Sequence, residues 1–456
     1  MSFNFTLSQL ISILDAKAHL PSDTSLETPA TGISTDSRIL HRGQVFVALR
    51  GERFDGHEFV RTAMAKEALV AIVDEQYQPE PDTPVIIVPD TLAAYQALGR
   101  AWRQQFSIPI IGVTGSVGKT TTKELIAAVL ATKGNVLKTQ LNYNNEIGVP
   151  KTLLELSPNH DFAVIEMAMR GAGQIAELTD IALPTIGVIT NVGTAHIELL
   201  GSEDAIARAK CELLERMSSE SIAILNADNQ RLISTAATVW NGKTVTYGFT
   251  NGDLRGSVQE GNLVVEGMAL PVPLPGRHNA LNYLAALAVA KELGVSWEPL
   301  QEGLYVDLPG GRAKRYELPN DIIVLDETYN AGLESMTAAL QLLAETPGNR
   351  RIAVLGTMKE LGERSSEFHE RIGNTAKELN LDALFVFAEP TAAEAIALGA
   401  VGLPLIEILD TTQENAHDEL AERLSEFVEP GDVMLFKASH SVALDRTVDK
   451  FRTLTT

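Results

Sequence analysis

The chain has 456 residues, 45% of them hydrophobic and 21% charged, an ordinary globular composition that suits about three domains of roughly 150 residues and excludes a largely disordered chain. A single cysteine, Cys211, excludes an intramolecular disulfide or a cysteine-based zinc cluster and fits a reducing compartment. The net charge of −22 argues against nucleic acid as a general partner, while leaving room for a local phosphate site built from backbone N–H groups.

The opening MSFNFTLSQLISIL has no basic residue before Lys17, unlike a signal peptide, and no apolar run reaches the roughly 18 residues of a membrane span. The chain therefore reads as soluble and cytoplasmic. Residues 1–88 form a first unit with the strand-like runs QVFVALRG (44–51) and VIIV (85–88), punctuated by Pro81, Pro84 and Pro89. Residues 89–313 form a middle unit. There PIIGV (109–113) predicts a buried strand entering a Gly-rich turn, then a helix from about Thr120 to Lys133. FAVIEMA (162–168), PTIGVITNV (184–192) and SIAILNAD (221–228) predict further strands, in the βαβ rhythm of a parallel sheet.

Residues 235–275 differ. The runs KTVTYGF and NLVVEGMALPVPL predict antiparallel strands, and a helix starts near Arg277–His278. LPGGRAKRYELPN (308–320) predicts a linker. In the last unit, 314–456, the runs IIVLD, RIAVLG, ALFVFA, PLIEIL and DVMLFKA predict five strands alternating with helices, a doubly wound α/β domain. It carries no GxGxxG, so it is not read as dinucleotide-binding.

The strongest chemical signal is Gly115-Ser116-Val117-Gly118-Lys119-Thr120, after a strand and opening a helix. Glycines let the backbone approach phosphate, and the helix N-terminus favours an anion. Lys119 then reaches the β/γ-phosphates and the Thr120 hydroxyl reaches Mg²⁺. The longer form of this pattern wants glycine where Val113 stands; the shorter GxxGKT form is intact.

Glu166 closes the strand FAVIE, and His196 follows the next strand, at the ends where α/β sheets bind ligands. A carboxylate and a neutral imidazole suit Mg²⁺ beside ATP, though each taken alone is more often structural. Lys210 reads locally as a solvated helix lysine. Asp326, Tyr329 and Asn330 follow the first strand of the last unit. His278, Asn279 and Asn282 sit at a helix start, where capping is the plain reading. Trp102, Trp240 and Trp297 are assigned to packing.

Taken in order, these segments resemble the Mur ligases of peptidoglycan synthesis, over essentially the whole chain. The resemblance is carried by Ser34-Thr35-Asp36-Ser37-Arg38, GERFDGHEF (51–59), TGSVGKTTTKE (114–124), LNYNNEIGVP (141–150), VIEMA (164–168) and TNVGTAHIELLGS (190–202). It continues in AKCEL (209–213), NADN (226–229), PGRHNALN (275–282), GGR (310–312), DETYNAGLESM (326–336) and MKELG (358–362). LNYNNEIGVP and TYNAGLESM resemble the branch that adds D-alanyl-D-alanine. The DNPR run with which another branch binds its amino acid is absent. A nucleotide switch or a simple P-loop kinase would account for the loop, but not for the remaining series.

The resemblance implies an α/β fold in three domains: a small α/β domain binding the UDP-substrate, a central P-loop ATPase-like parallel sheet with added antiparallel strands, and a C-terminal Rossmann-like domain. It implies ATP and Mg²⁺, with UDP-N-acetylmuramoyl-tripeptide and D-alanyl-D-alanine as substrates, in a monomer. Lys119, Glu166, His196 and Lys210 are then catalytic, and Thr120, Glu166, His196 and a carbamylated Lys210 hold metal. ATP would meet Gly115 to Thr121 (Thr121 included), Asn279 at adenine, Arg312, Asp326, Tyr329 and Asn330. The other substrates would meet Ser34, Thr35, Asp36, Ser37, Arg38, Asp55, His57, Asn142, Asn144 and Asn145. Two positions depart from the family pattern. Thr357 replaces an acidic residue, and Lys437-Ala438-Ser439-His440 carries an imidazole where the family has arginine, a planar fixed charge.

Overall fold

The computed structural model of the chain describes residues 3–51 and 54–455. Glu52 and Arg53, within the GERFDGHEF run, lie outside the described residues. Three sheets follow one another along the chain. The first has five strands, in the order Lys17–His19, Val85–Val88, Val70–Asp74, Val45–Val47 and Ile33–Ser34. Two of these follow from the quoted apolar runs; the outer two strands are two or three residues long and exposed or mixed in burial, while Val70–Asp74 is a buried apolar run not among the quoted ones.

The central sheet has nine strands. Strand Ile110–Thr114 lies between Ile186–Ile189 and Phe162–Glu166, parallel to both. All three are buried along their whole length, because helices cover both faces, and so they read as unbroken apolar runs. Their C-terminal ends deliver the phosphate loop, Glu166 and the loop bearing His196 to one crevice. The helix predicted from Thr120 runs Lys119–Leu130. It packs against helix Arg277–Glu292, whose alanine-rich sequence is buried nearly all round and permits close approach.

Two readings need correction here. Residues 230–239 are helical, and Lys243–Gly248 pairs in parallel with Ile222–Asn226, extending the main sheet. Antiparallel pairing begins only where Leu254–Gln259 meets Asn262–Val265, and continues to Met268–Pro271. Alternating burial marks a half-exposed strand of either direction, so the pattern could not report orientation. The 308–320 segment is also more than a linker. Lys314–Leu318 is an edge strand, antiparallel to Ile322–Asp326.

The third sheet has that strand and the five predicted ones, in the order Lys314–Leu318, Ile322–Asp326, Val433–Lys437, Arg351–Gly356, Ala383–Phe387, Ile406–Ile408. Its C-terminal edge gathers Asp326–Asn330, Thr357–Glu360 and Lys437–His440.

Helix Thr91–Arg103 rivets the first sheet to the central one. Trp102 packs against Phe3, Phe5 and Phe106, and its indole N–H donates to the Leu156 carbonyl at 3.1 Å. The Arg103 guanidinium donates to the carbonyls of Ala182 and Leu183. One apolar cluster runs unbroken from Phe3 through Val192 and Ile197 to Leu333, Met358 and Leu361, so the three units share a core. Among the described residues, no helix is long and apolar enough to cross a membrane.

Candidate active site

The phosphate loop needs glycine at two positions for different reasons. Gly118 takes φ +81° to start the helix, and a Cβ there would stand 2.8 Å from Asn282 Oδ1. A Cβ on Gly115 would fall 1.9 Å from Thr190 Oγ1. Val113, at the departure from the longer pattern, is interior strand. The loop is folded onto the neighbouring strand end. Val117 donates its N–H to Asn191 Oδ1 at 3.0 Å and accepts from the Thr190 hydroxyl at 2.6 Å. Lys119 Nζ curls back to donate to the carbonyls of Gly115 (2.9 Å) and Ser116 (3.2 Å). Loss of hydration lowers its pKa, Glu166 pulls the other way, and the Arg312 guanidinium adds to the lowering. Thr121 is buried in the helix's first turn.

Glu166 is buried at its strand end and anchored on one side only. Its Oε1 accepts from the Thr120 hydroxyl at 3.1 Å and from Asn144 Nδ2 at 2.9 Å. Its backbone N–H donates to Thr139 Oγ1 at 3.0 Å. The other oxygen, Oε2, is buried without a hydrogen bond, 3.9 Å from Lys123 Nζ. Lys123, fully buried, also donates to the Thr139 carbonyl at 2.7 Å.

Lys210 sits on the buried face of helix Glu203–Arg216, not in solvent, and its Nζ has no hydrogen-bond partner. Desolvation pushes its pKa well below that of an ordinary lysine, helped by the charge on Lys119. His196 holds a left-handed backbone, φ +63°, and its Nδ1 is hydrogen-bonded to the Glu360 carboxylate. Desolvation lowers its pKa against the pull of Glu360, and Lys210 and Lys119 add to the lowering. Thr120 and Asn144 meet on Glu166 beside the phosphate loop, and the loop that bears His196 is tied to the phosphate loop by the Gly193 N–H, which donates to Ser116 Oγ at 2.9 Å. No group of three or more His, Cys, Asp or Glu side chains is gathered for a metal among the described residues. The donor set is instead one carboxylate, one imidazole and one hydroxyl, with an orphaned carboxylate oxygen and an orphaned amine. That suits Mg²⁺, which keeps waters and phosphate oxygens as most of its ligands.

The last sheet closes the cleft. The Arg312 guanidinium lies 3.6 Å over the Tyr329 ring, and the His440 ring stands 5.6 Å from Tyr329 at 33°. Asp326 accepts from the Thr328 N–H and hydroxyl; burial nevertheless raises its pKa. Asn330 contributes a carbonyl, which accepts from Lys437 Nζ at 3.0 Å. Asn279 is turned onto its own helix start, donating to the Pro275 carbonyl at 2.7 Å. The Thr357 hydroxyl accepts from the Glu389 N–H at 2.9 Å, so this departure has a defined partner.

The first unit is less uniform than the sequence reading implied. Asp36 is clamped by Arg38 through both carboxylate oxygens, which holds its pKa down at about 2, with a weaker contribution from Lys151 of the middle unit. Ser34 and Ser37 are buried, and the Ser34 hydroxyl accepts from the Asp36 N–H at 3.1 Å. His57 is not open to a ligand. Its Nε2 accepts from the Asp74 N–H at 3.0 Å, so Nδ1 carries the proton and donates to Asp55 at 2.6 Å. Asp55 also pairs with Arg50. These contacts tie a turn to a strand, with both His57 nitrogens used and the Asp55 side chain partly exposed. Asn144 reaches Glu166, Asn145 caps the helix that follows it through the Gly148 N–H at 2.9 Å, and Asn142 is exposed. Lys123, Thr139, Asn191, Glu334 and Glu360 escaped the sequence reading. Lys123, Asn191, Glu334 and Glu360 stand inside quoted motifs and Thr139 outside them, and none has a local pattern that separates it from a surface residue.

The Mur ligase family catalytic domain matches residues 29–103, the Mur ligase middle domain 113–290, and the Mur ligase glutamate ligase domain 311–440. The UDP-N-acetylmuramoyl-tripeptide–D-alanyl-D-alanine ligase of Synechocystis sp. is 54% identical over 451 residues, 97% of this chain and 98% of that one. Its Escherichia coli counterpart is 37% identical, over 86% and 88% of the two chains. A crystal structure of MurF from Acinetobacter baumannii superposes with a TM-score of 0.88 at 31% identity, covering 99% of both chains. MurF from Thermotoga maritima in complex with ADP gives 0.82 at 32% identity, over 93% and 97%. The chain belongs to the Mur ligase family, in its MurF branch.

Proposed function

We infer that this chain joins D-alanyl-D-alanine to UDP-N-acetylmuramoyl-tripeptide at the expense of ATP, giving the pentapeptide, ADP and phosphate in cytoplasmic peptidoglycan precursor synthesis. The observation that carries the reading is the phosphate loop that opens on Lys119 and Thr120, with the buried Glu166 accepting from the Thr120 hydroxyl at 3.1 Å, in a chain 54% identical to a named ligase of this activity.

A carboxylate does not acylate an amine in water, because its oxygen is a poor leaving group. The tripeptide carboxylate attacks the γ-phosphorus, ADP leaves, and an acyl phosphate forms. The amine of the dipeptide then attacks the acyl carbon, and the tetrahedral intermediate expels phosphate after the amine loses its proton. Both reactants of the first step are anions, so the protein's task is charge neutralisation and positioning. Lys119 leaves its two loop carbonyls to meet the transferring phosphoryl group. The loop N–H groups, Val117's among them, turn from Asn191 to phosphate oxygens. Thr120, Glu166 and His196 would hold Mg²⁺, with Lys210 as a carbamate holding a second. Bound there, the cation supplies charge neutralisation between carboxylate and phosphate. The orphaned Lys210 amine suits carbamylation, since only a neutral amine adds carbon dioxide. Arg312 at the end of the ATP domain and Asp326 of the last domain contact the nucleotide, and Asn279 the adenine.

We take residues 1–88 as the UDP-substrate domain, 89–313 as the ATP domain and 314–456 as the closing domain, with Asp36 and Arg38 at the substrate's nucleotide. The chain acts as a monomer. The test is phosphate release with ATP, Mg²⁺, UDP-N-acetylmuramoyl-tripeptide and D-alanyl-D-alanine, with the product weighed by mass spectrometry. An adduct requiring both substrates supports the reading; nucleotide binding without adduct overturns it.

A further inference from the structure

Two acidic side chains of the last domain grip one loop of the central sheet. Glu334, in the first turn of helix Leu333–Glu345, accepts from the Thr194 N–H at 2.7 Å and from its hydroxyl at 3.2 Å. Glu360 takes His196 Nδ1 on its carboxylate, and its backbone carbonyl accepts from the Glu198 N–H at 3.3 Å. Just before Thr194, Gly193 donates its N–H to Ser116 Oγ in the phosphate loop at 2.9 Å. A Cβ on Gly193 would stand 2.5 Å from the Glu334 carboxyl carbon, so any side chain there would push Glu334 off Thr194.

The grip is built, not casual. His196 and Glu360 both hold left-handed backbones, φ +63° and +61°, which non-glycine residues seldom adopt and which persist where surroundings enforce them. The turn presenting Glu360 is pinned from behind. Met358 donates its N–H to Nε2 of the buried His369 at 2.9 Å, and Lys359 donates to Ser439 Oγ at 3.0 Å. Ser439 in turn donates its N–H to the Thr357 carbonyl at 3.0 Å. His196 Nε2 makes no hydrogen bond among the described residues.

We propose that Glu334 and Glu360 are positioning residues through which the seating of the last domain sets the metal-binding face of the central one. Glu360 holds the imidazole by its Nδ1–H, which leaves the Nε2 lone pair for a cation, as a carboxylate behind a metal-binding histidine does. Glu334 fixes Thr194 and, through Gly193, the Ser116 side of the phosphate loop. Full cation affinity then requires the domain that also brings Asp326, so the phosphoryl group is not neutralised for transfer until that domain has arrived. The proposal rests on the reading of His196 as a cation ligand.

Mn²⁺, a paramagnetic stand-in for Mg²⁺, is titrated by electron paramagnetic resonance into the full chain with β,γ-methylene-ATP. Glu360→Ala is expected to weaken Mn²⁺ binding about 10- to 100-fold, with nucleotide binding in EDTA unchanged. Glu360→Gln, whose amide oxygen still accepts from Nδ1–H, is expected to keep most of the affinity. In a His196→Ala background, Glu360→Ala is expected to cost nothing further. Unchanged Mn²⁺ affinity in Glu360→Ala, a glutamine variant no better than alanine, or an equal loss without His196 would each overturn the proposal. Glu334→Ala tests the other contact independently of how Glu360→Ala folds. It is expected to weaken Mn²⁺ severalfold, and no change would remove Glu334 from the clamp. No peptide substrate is needed, so this result is separate from the adduct assay on the wild type. A wild type that makes no adduct but shows these Mn²⁺ effects loses the ligase reading and keeps the clamp. His196→Ala with unaltered Mn²⁺ affinity defeats the ligand reading and the clamp together.

Discussion

The Thr120 hydroxyl donates to Glu166 Oε1 across 3.1 Å, joining the start of the phosphate-loop helix to the end of the adjacent strand. Asn144 occupies the same oxygen, while Oε2 is buried and unbonded. A buried carboxylate oxygen without a hydrogen bond is costly, and the Lys123 ammonium 3.9 Å away offsets that only in part. Glu166→Gln replaces one oxygen by a donor and removes the charge. It is expected to lower kcat by about 10²- to 10³-fold, the scale of losing one electrostatic stabiliser, with a small change in the KM for ATP. Initial rates of phosphate release measure this, and a loss under about threefold would contradict it.

Lys210 is a buried amine with no hydrogen bond, and desolvation favours its neutral form. A neutral amine is the nucleophile that adds carbon dioxide, so carbamylation is expected at a pH where exposed lysines are protonated. Protein equilibrated with ¹³C-bicarbonate should show one carbamate carbon resonance that is lost in Lys210→Ala. Activity of the alanine variant should fall, and short carboxylic acids should restore part of it. A spectrum without that resonance, in protein that makes product, would refute the carbamate.

Asp36 has its carboxyl pKa lowered from the ordinary 3.8 to about 2, chiefly by hydrogen bonds from the Arg38 side chain and backbone. A lowered carboxyl pKa means that the clamp's contribution is fully present above the ordinary value and is lost as pH falls through about 2. Carboxyl ¹³C titration of aspartate-labelled protein reads this directly. Arg38→Ala should move the midpoint up towards 3.8, and an unmoved midpoint would show that Arg38 is not its cause.

His440 stacks near Tyr329, which itself lies under Arg312. His440→Arg would restore a fixed charge and a planar fork at the edge of that stack. It is expected to lower the KM for ATP or for D-alanyl-D-alanine by about tenfold at most, the range of one charge-assisted hydrogen bond. If both Michaelis constants stayed as they are, the imidazole would have to be judged equivalent to the arginine.

Much of the scaffold was legible because its causes are local. Buried parallel strands appear as apolar runs, and a phosphate loop appears as glycines spaced before Lys119. Residues 243–248 and 314–318 were misread because half-exposed strands alternate alike whether their neighbour is parallel, antiparallel or absent. Lys210 reads as a surface lysine in AKCEL; only the packing around its helix removes it from water. His57 looks like a binding residue beside a turn, yet both its nitrogens are used within the fold.

By itself the sequence determined the three α/β units, the phosphate loop and, through the order of its motifs, the family. Those features depend on residues within a few positions of one another, where spacing and backbone preference suffice. The tertiary structure alone decided that Glu334 meets Thr194, 140 residues away, and that Glu360 meets His196, 164 residues away. Such contacts are set by how two sheets share one apolar core, and no local pattern encodes the distance between two sheets.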